Sequence, residues 1–150
     1  MIKKSIFALV LLFLGLSAKS QTLKNTDSLM AVKNYLLTIK EVVNSKNLTM
    51  KHKIAKLDSL IKIGNLQESR FKKYLSREIN DKETENLLSQ FHFIVQSAAI
   101  YKSDVKRAGF VIKASSLGEI KYMNQHIPPL VDKINYYAKW SKQKFEKSLN

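Results

Sequence analysis

Apolar residues between Lys82 and Ala108 recur at three- and four-residue steps: Leu87, Leu88, Phe91, Ile94, Val95, Ala98, Tyr101, Val105 and Ala108. That spacing stacks side chains along one stripe of a 3.6-residue period and predicts one long helix. Phe93 and Ile100 fall outside the stripe and are nearly aligned with each other. Their placement predicts a helix covered from two directions, the interior post of a bundle. Asn80 and Glu83 have the spacing of a capping box, with Asp81 as a competing cap, and Gly109 stands where a helix C-terminus is usually closed.

The same period predicts elements on either side. Thr26 or Asp27 caps a first helix with Leu29, Val32, Leu36, Ile39 and Val43 inward and Tyr35 and Val42 widening the stripe, ending near Ser45. A second helix starts at Met50 behind the cap Thr49, faces inward with Ile54, Leu57, Leu60 and Ile61, and is closed by Gly64-Asn65. A third, from about Leu66 to Ile79, turns Phe71, Tyr74, Leu75 and Ile79 to the core. After Gly109, Phe110 to Ile112 reads as a further helical turn or a buried connector. Ser116 and Glu119 have capping-box spacing ahead of a short fifth helix through Ile120, Met123 and Ile127. Pro128-Pro129 breaks that helix and starts the last one, which carries Leu130, Val131, Ile134, Tyr137, Ala138, Ser141 and Phe145 inward. No stretch shows a two-residue alternation stronger than its helical pattern. The expected fold is all-α: an antiparallel helical bundle of about four main helices plus two short ones, joined by short connections.

The first residues change the picture of where this fold works. Lys3 and Lys4 precede an apolar run from Ile6 to Leu16, followed by the small residues Ser17, Ala18 and Ser20. This order is that of a secretory signal peptide, residues 1–20, cleaved after Ser20 or, in the competing register, after Ala18. The run is about half the roughly 20 residues needed to cross a bilayer. A single helical domain over residues 21–150, in the periplasm or secreted, is the expectation. There is no cysteine, so there is no disulfide, thiolate nucleophile, cysteine zinc site or lipid attachment point, and Gly and Pro number only four and two.

Charge adds a candidate function. The formal charge of +14 falls to +11 when Lys3, Lys4 and Lys19 leave with the signal. Cations gather as Lys51, Lys53 and Lys56, as Arg70, Lys72, Lys73 and Arg77, and as Lys139, Lys142, Lys144 and Lys147. Arg70, Lys73 and Arg77 share one helical face, a spacing that meets a row of carboxylates or phosphates. On the last helix Tyr136 and Trp140 point away from the inward arc and share their side with Lys133, Lys144 and Lys147, and aromatics interleaved with lysines form a docking face. The alternatives are a merely solvated basic surface and, for the two aromatics, cover by another helix or by the connector around Phe110.

Catalytic and cofactor patterns are missing. His52, His92 and His126 fall on separate elements without a His-Glu-x-x-His motif or a Glu three residues earlier. Glu78, Asp81, Glu83 and Glu85 lie where they complement the positive end of the long helix. Ser115-Ser116 near Gly118 lacks a nucleophile elbow, and no glycine loop cradles phosphate. The sequence therefore leads to an exported, non-catalytic interaction or structural protein of the bacterial cell envelope, without cofactor or metal, held to an acidic protein surface. An accessory component of a secretion or conjugation assembly fits this profile. The runner-up is a basic helical module that binds an anionic membrane or nucleic acid directly, although no nucleic-acid-binding motif accompanies the charge.

Overall fold

The computed structural model describes residues 28–147, and within them every regular element is a helix. The expected signal peptide, the polar lead and the caps Thr26 and Asp27 lie outside the described residues. Helix α1 spans residues 28–44, followed by α2 (Met50–Lys62), α3 (Gly64–Glu78), α4 (Asp81–Arg107) and α5 (Ala114–Lys147).

Local chemistry sets most of the ends. Thr49 is extended, and its hydroxyl accepts from His52 N to cap α2. Asn80 wins the start of α4, its side chain accepting from Glu83 N at 2.9 Å. At the other end Gly109 adopts φ 66°, and the last turn closes as Phe110 N–H donates to Val105 O at 2.8 Å and Gly109 N–H to Lys106 O at 3.2 Å.

The stripe of α4 is the centre of the core: Leu87, Phe91, Ile94, Ala98, Tyr101 and Val105 have no exposed surface. Phe91 stacks on Tyr35 of α1 at 5.7 Å and meets Phe71 of α3 at 5.9 Å. The Tyr35 hydroxyl continues to α2, donating to Leu60 O at 3.1 Å. Helices α4 and α5 run in opposite directions, because Glu83 meets Lys133 at one end of their contact and Ser97 meets Glu119 at the other.

Five expectations need correction. The run from Phe110 to Ile112 is neither a helical turn nor a buried connector: it is non-helical, and although Phe110 packs on the core, Val111 and Ile112 are exposed where the chain turns between α4 and α5. Phe93 and Ile100 are 52% and 41% exposed, so α4 is not a post covered from two directions. Its neighbours take the stripe and the two flanks, with Lys102 bound to Asp58 of α2 on one flank and Ser97 to Glu119 of α5 on the other. Nothing among the described residues is left for the far side.

Pro128 and Pro129 do not break a helix; both lie inside α5. Met123, Ile127, Leu130, Val131 and Ile134 are all buried, so the apolar stripe crosses the proline pair without a change of phase. Packing along α4 outweighs the helix-breaking tendency of the two prolines, about 3 kcal/mol for an interior proline.

The Ser116–Glu119 box is not made. Helix α5 begins at Ala114, Ser116 is fully buried with no partner for its hydroxyl, and the Glu119 carboxylate accepts from Ser97 instead.

Gly64 opens α3 rather than closing α2, leaving Ile63 alone between the helices. Its role is space. A Cβ there would stand 3.0 Å from Val95 Cγ1 and 3.2 Å from the Tyr35 hydroxyl. Gly64→Val is expected to lower the unfolding free energy by about 1–3 kcal/mol through overpacking. Unchanged urea denaturation would mean that α1 and α4 do not close on this point.

Asp58 ties α2 to α4, accepting from Lys102 at 2.8 Å and from Lys62 at 2.8 Å. The Lys102 hydrogen bond, followed by that of Lys62, holds its carboxyl down at about 2. Because the folded state favours the carboxylate, this contribution is complete above the ordinary aspartate value of about 3.9 and is lost as pH falls toward 2. Urea midpoints measured across that window should fall less steeply for Asp58→Asn than for the unaltered protein; parallel curves would remove the ion pairs from the account.

Candidate interaction surface

Helix α3 turns Phe71, Tyr74 and Leu75 into the core. Arg70, Lys72, Lys73 and Arg77 are thereby left in solvent. Between Met50 and Glu78 there are eight Lys and Arg against three acids; Asp58 is engaged by Lys62 and Lys102, and Glu68 lies 3.6 Å from His92. Arg70, Lys73 and Arg77 take part in none of the ion pairs among the described residues. Helix α4, by contrast, balances its four Lys and Arg with four acids, so the excess positive charge lies on the helices packed around it, α2, α3 and α5, rather than on the central one.

One member of the expected α2 cluster belongs elsewhere. Lys53 is buried, and its ammonium donates to Val43 O at 3.3 Å, capping the negative end of α1. Lys51 and Lys56 remain exposed.

On α5, Tyr136 is 64% exposed, its ring edge-on to Tyr137 at 5.3 Å. Trp140 is 36% exposed. No helix among the described residues covers Tyr136. Lys133 is committed to the fold itself, since it donates to Glu83 Oε1 at 2.9 Å, and this bond is the main reason the Glu83 carboxyl sits below its usual value. Lys147 is exposed, and Lys144 and Phe145 are among the residues whose side chains are not described.

The helices that carry the two candidate groups meet through Tyr74. Tyr74 donates to Tyr137 O at 3.2 Å and bonds the Ser141 hydroxyl. Arg70, Lys73 and Arg77 lie within about one helical turn of Tyr74, while Tyr136 and Trp140 immediately precede its two partners. Cations and aromatics thus bracket a single α3–α5 contact, a relation that their separation of about 60 residues along the chain conceals.

Comparison with family models, with curated proteins and with solved structures returned no match.

The residues with catalytic potential are not brought together. His52 shares a hydrogen bond with the Thr49 hydroxyl, His92 lies near Glu68, and the His126 ring packs on Tyr122 at 4.1 Å. Asp81 and Glu83 occupy the first turn of α4 and oppose its positive end. No group of three metal-ligating side chains occurs among the described residues. A cleft of about 320 Å³ between α1 and α2 is lined by Thr38, Glu41, Val42, Ser45, Leu48, Lys56, Ser59 and Leu60, with no histidine among them.

Exposure separates Tyr136 from the core aromatics. Tyr136→Ala is expected to change the unfolding free energy by less than about 1 kcal/mol, in the range of surface substitutions. A loss of about 3 kcal/mol, the size of a core truncation, would make Tyr136 a packing residue and end its candidacy.

Proposed function

We propose that this chain is an exported, non-catalytic interaction protein of the bacterial cell envelope. It is made as a precursor with a signal peptide over residues 1–20 and works as one antiparallel helical bundle in the periplasm or outside the cell. It uses Arg70, Lys73 and Arg77, with Tyr136 and Trp140 beside them, to hold an acidic protein surface. An accessory place in a secretion or conjugation assembly suits such a module. It needs no cofactor or metal.

The observation that supports this reading is the set of cations on α3 outside every described ion pair, on a helix whose Tyr74 bonds the segment of α5 that carries the exposed aromatics. Charge attracts and orients a partner, while Tyr and Trp supply contact area at low entropic cost. A merely solvated basic surface has no use for the aromatics.

The test is a crosslinked pull-down from envelope extract with the mature protein, at low and high salt. It is repeated with Arg70→Gln, Lys73→Gln and Arg77→Gln combined, and with Tyr136→Ala and Trp140→Ala combined. One stoichiometric acidic partner is expected, lost at low salt with the glutamine variant and at high salt with the alanine variant. Direct binding to nucleic acid or lipid headgroups through α3 would instead weaken steeply with salt and be indifferent to the aromatics. Recovery of nucleic acid or lipid alone, or reproducible substrate turnover, would overturn the reading.

A further inference from the structure

The connector between α4 and α5 has properties that neither the core nor the α3–α5 surface uses. Gly109 and Phe110 both adopt positive φ, 66° and 67°. For Phe110 this is a strained conformation, and it sends consecutive apolar residues in opposite directions. The Phe110 ring packs on the core beneath the Lys51 ammonium, 5.7 Å from its centroid. Val111 and Ile112 face out, 58% and 38% exposed, and Leu117, one turn into α5, is 56% exposed.

The segment that carries these aliphatic side chains has only cations among its charged residues. From Val105 to Gly118 there is no carboxylate. The flanking acids are occupied, Asp104 by Arg107 at 2.7 Å and Glu119 by Ser97. Lys51, Lys106 and Lys113 are exposed and take part in none of the ion pairs among the described residues. The first turn of α5 carries no acid, so the positive end of its backbone dipole adds to the same potential.

We propose that this connector is a membrane-docking tip, in which Val111 and Ile112 enter the headgroup–acyl boundary of an anionic bilayer while Lys51, Lys106 and Lys113 meet its phosphates. A bilayer offers what the tip complements: a broad negative surface over an apolar interior. A protein partner would be met more typically by a pocket or by aromatic and arginine anchors, and the two clefts described among these residues are lined by others. The lysines reach back to the phosphates as the apolar tip descends. The tip is a second attachment point, separate from the α3–α5 surface and independent of the protein-partner reading.

Co-sedimentation of the mature protein with vesicles of phosphatidylcholine alone, or of equal parts phosphatidylcholine and phosphatidylglycerol, tests it. Binding is expected only with phosphatidylglycerol. Val111→Ser with Ile112→Ser should lower it roughly tenfold, and Lys106→Gln with Lys113→Gln should abolish the preference for phosphatidylglycerol. The combined glutamine variant of Arg70, Lys73 and Arg77 should bind vesicles as the unaltered protein does. Far-UV circular dichroism checks the serine variant; should it unfold, the two exposed lysine changes decide. Equal sedimentation with both vesicle types would overturn the proposal, as would loss of binding in the α3 variant with retention in the tip variants. A dimer of the free protein that the serine pair converts to monomer would assign the tip to a second copy of the chain and overturn it equally.

Discussion

Truncation of Phe91 to alanine is expected to lower the free energy of unfolding by about 3–5 kcal/mol, whereas the same change at Phe93 should stay within about 0.5 kcal/mol. The two phenylalanines are two residues apart in one helix and differ only in what surrounds them. Phe91 has no exposed surface and contacts Tyr35 and Phe71, so α1, α3 and α4 all lose packing when its ring is removed. Phe93 is 52% exposed, and its ring lies near that of His92. Neighbouring side chains from three separate helices cannot all collapse into the space left by Phe91, so a cavity term adds to the lost transfer energy. Urea denaturation of the two variants measures the contrast. Comparable losses at both positions would mean that the far side of α4 is also covered.

The Phe91 and Phe93 pair marks how far the sequence could be read. Periodicity locates which residues share a face, and for α4 six of the nine stripe positions are fully buried, while Leu88, Val95 and Ala108 at its margins and end are partly exposed. It cannot say how many faces find neighbours, since that depends on how many helices are available and where they lie. The caps at Thr49 and Asn80 and the stop at Gly109 were legible because each is settled by groups within one turn. Gly64 was not: its Tyr35 and Val95 neighbours come from distant segments, so a close approach looked like a turn. Ser116 and Glu119 had the right spacing for a cap, but a contact with Ser97 and burial against the core took them elsewhere.

The candidate surface divides in the same way. The exposure of Arg70, Lys73 and Arg77 follows from the inward stripe of their own helix. The half-burial of Lys133 does not, because it is set by Glu83, 50 positions away. Lys53 carried an unused signal. It lies four residues before Leu57, in the inward register of α2, where a lysine implies a partner for its ammonium; the partner is the end of α1. Val111 and Ile112 carried none, for an apolar run after a helix stop ordinarily reads as buried, whereas here the pair follows two consecutive positive-φ residues and is exposed.

Replacing Pro128 and Pro129 together by alanine is expected to stabilise the protein by about 3 kcal/mol or more. Both prolines lie inside the 34-residue helix α5, where neither has an N–H to give to the carbonyls of Asn124 and Gln125. Each also disfavours the helical conformation of the residue before it, which here means Ile127, fully buried, and Pro128 itself. Alanine restores two donors and removes both clashes, while the half-buried Pro128 and exposed Pro129 give up little packing. The buried run Met123, Ile127, Leu130 and Ile134 keeps its phase in the variant. Guanidinium denaturation should show a higher midpoint and far-UV circular dichroism no loss of helix. A lower midpoint would show that the prolines are in favourable positions, as they would be at a helix break, and would return the segment to two helices meeting at Pro128-Pro129.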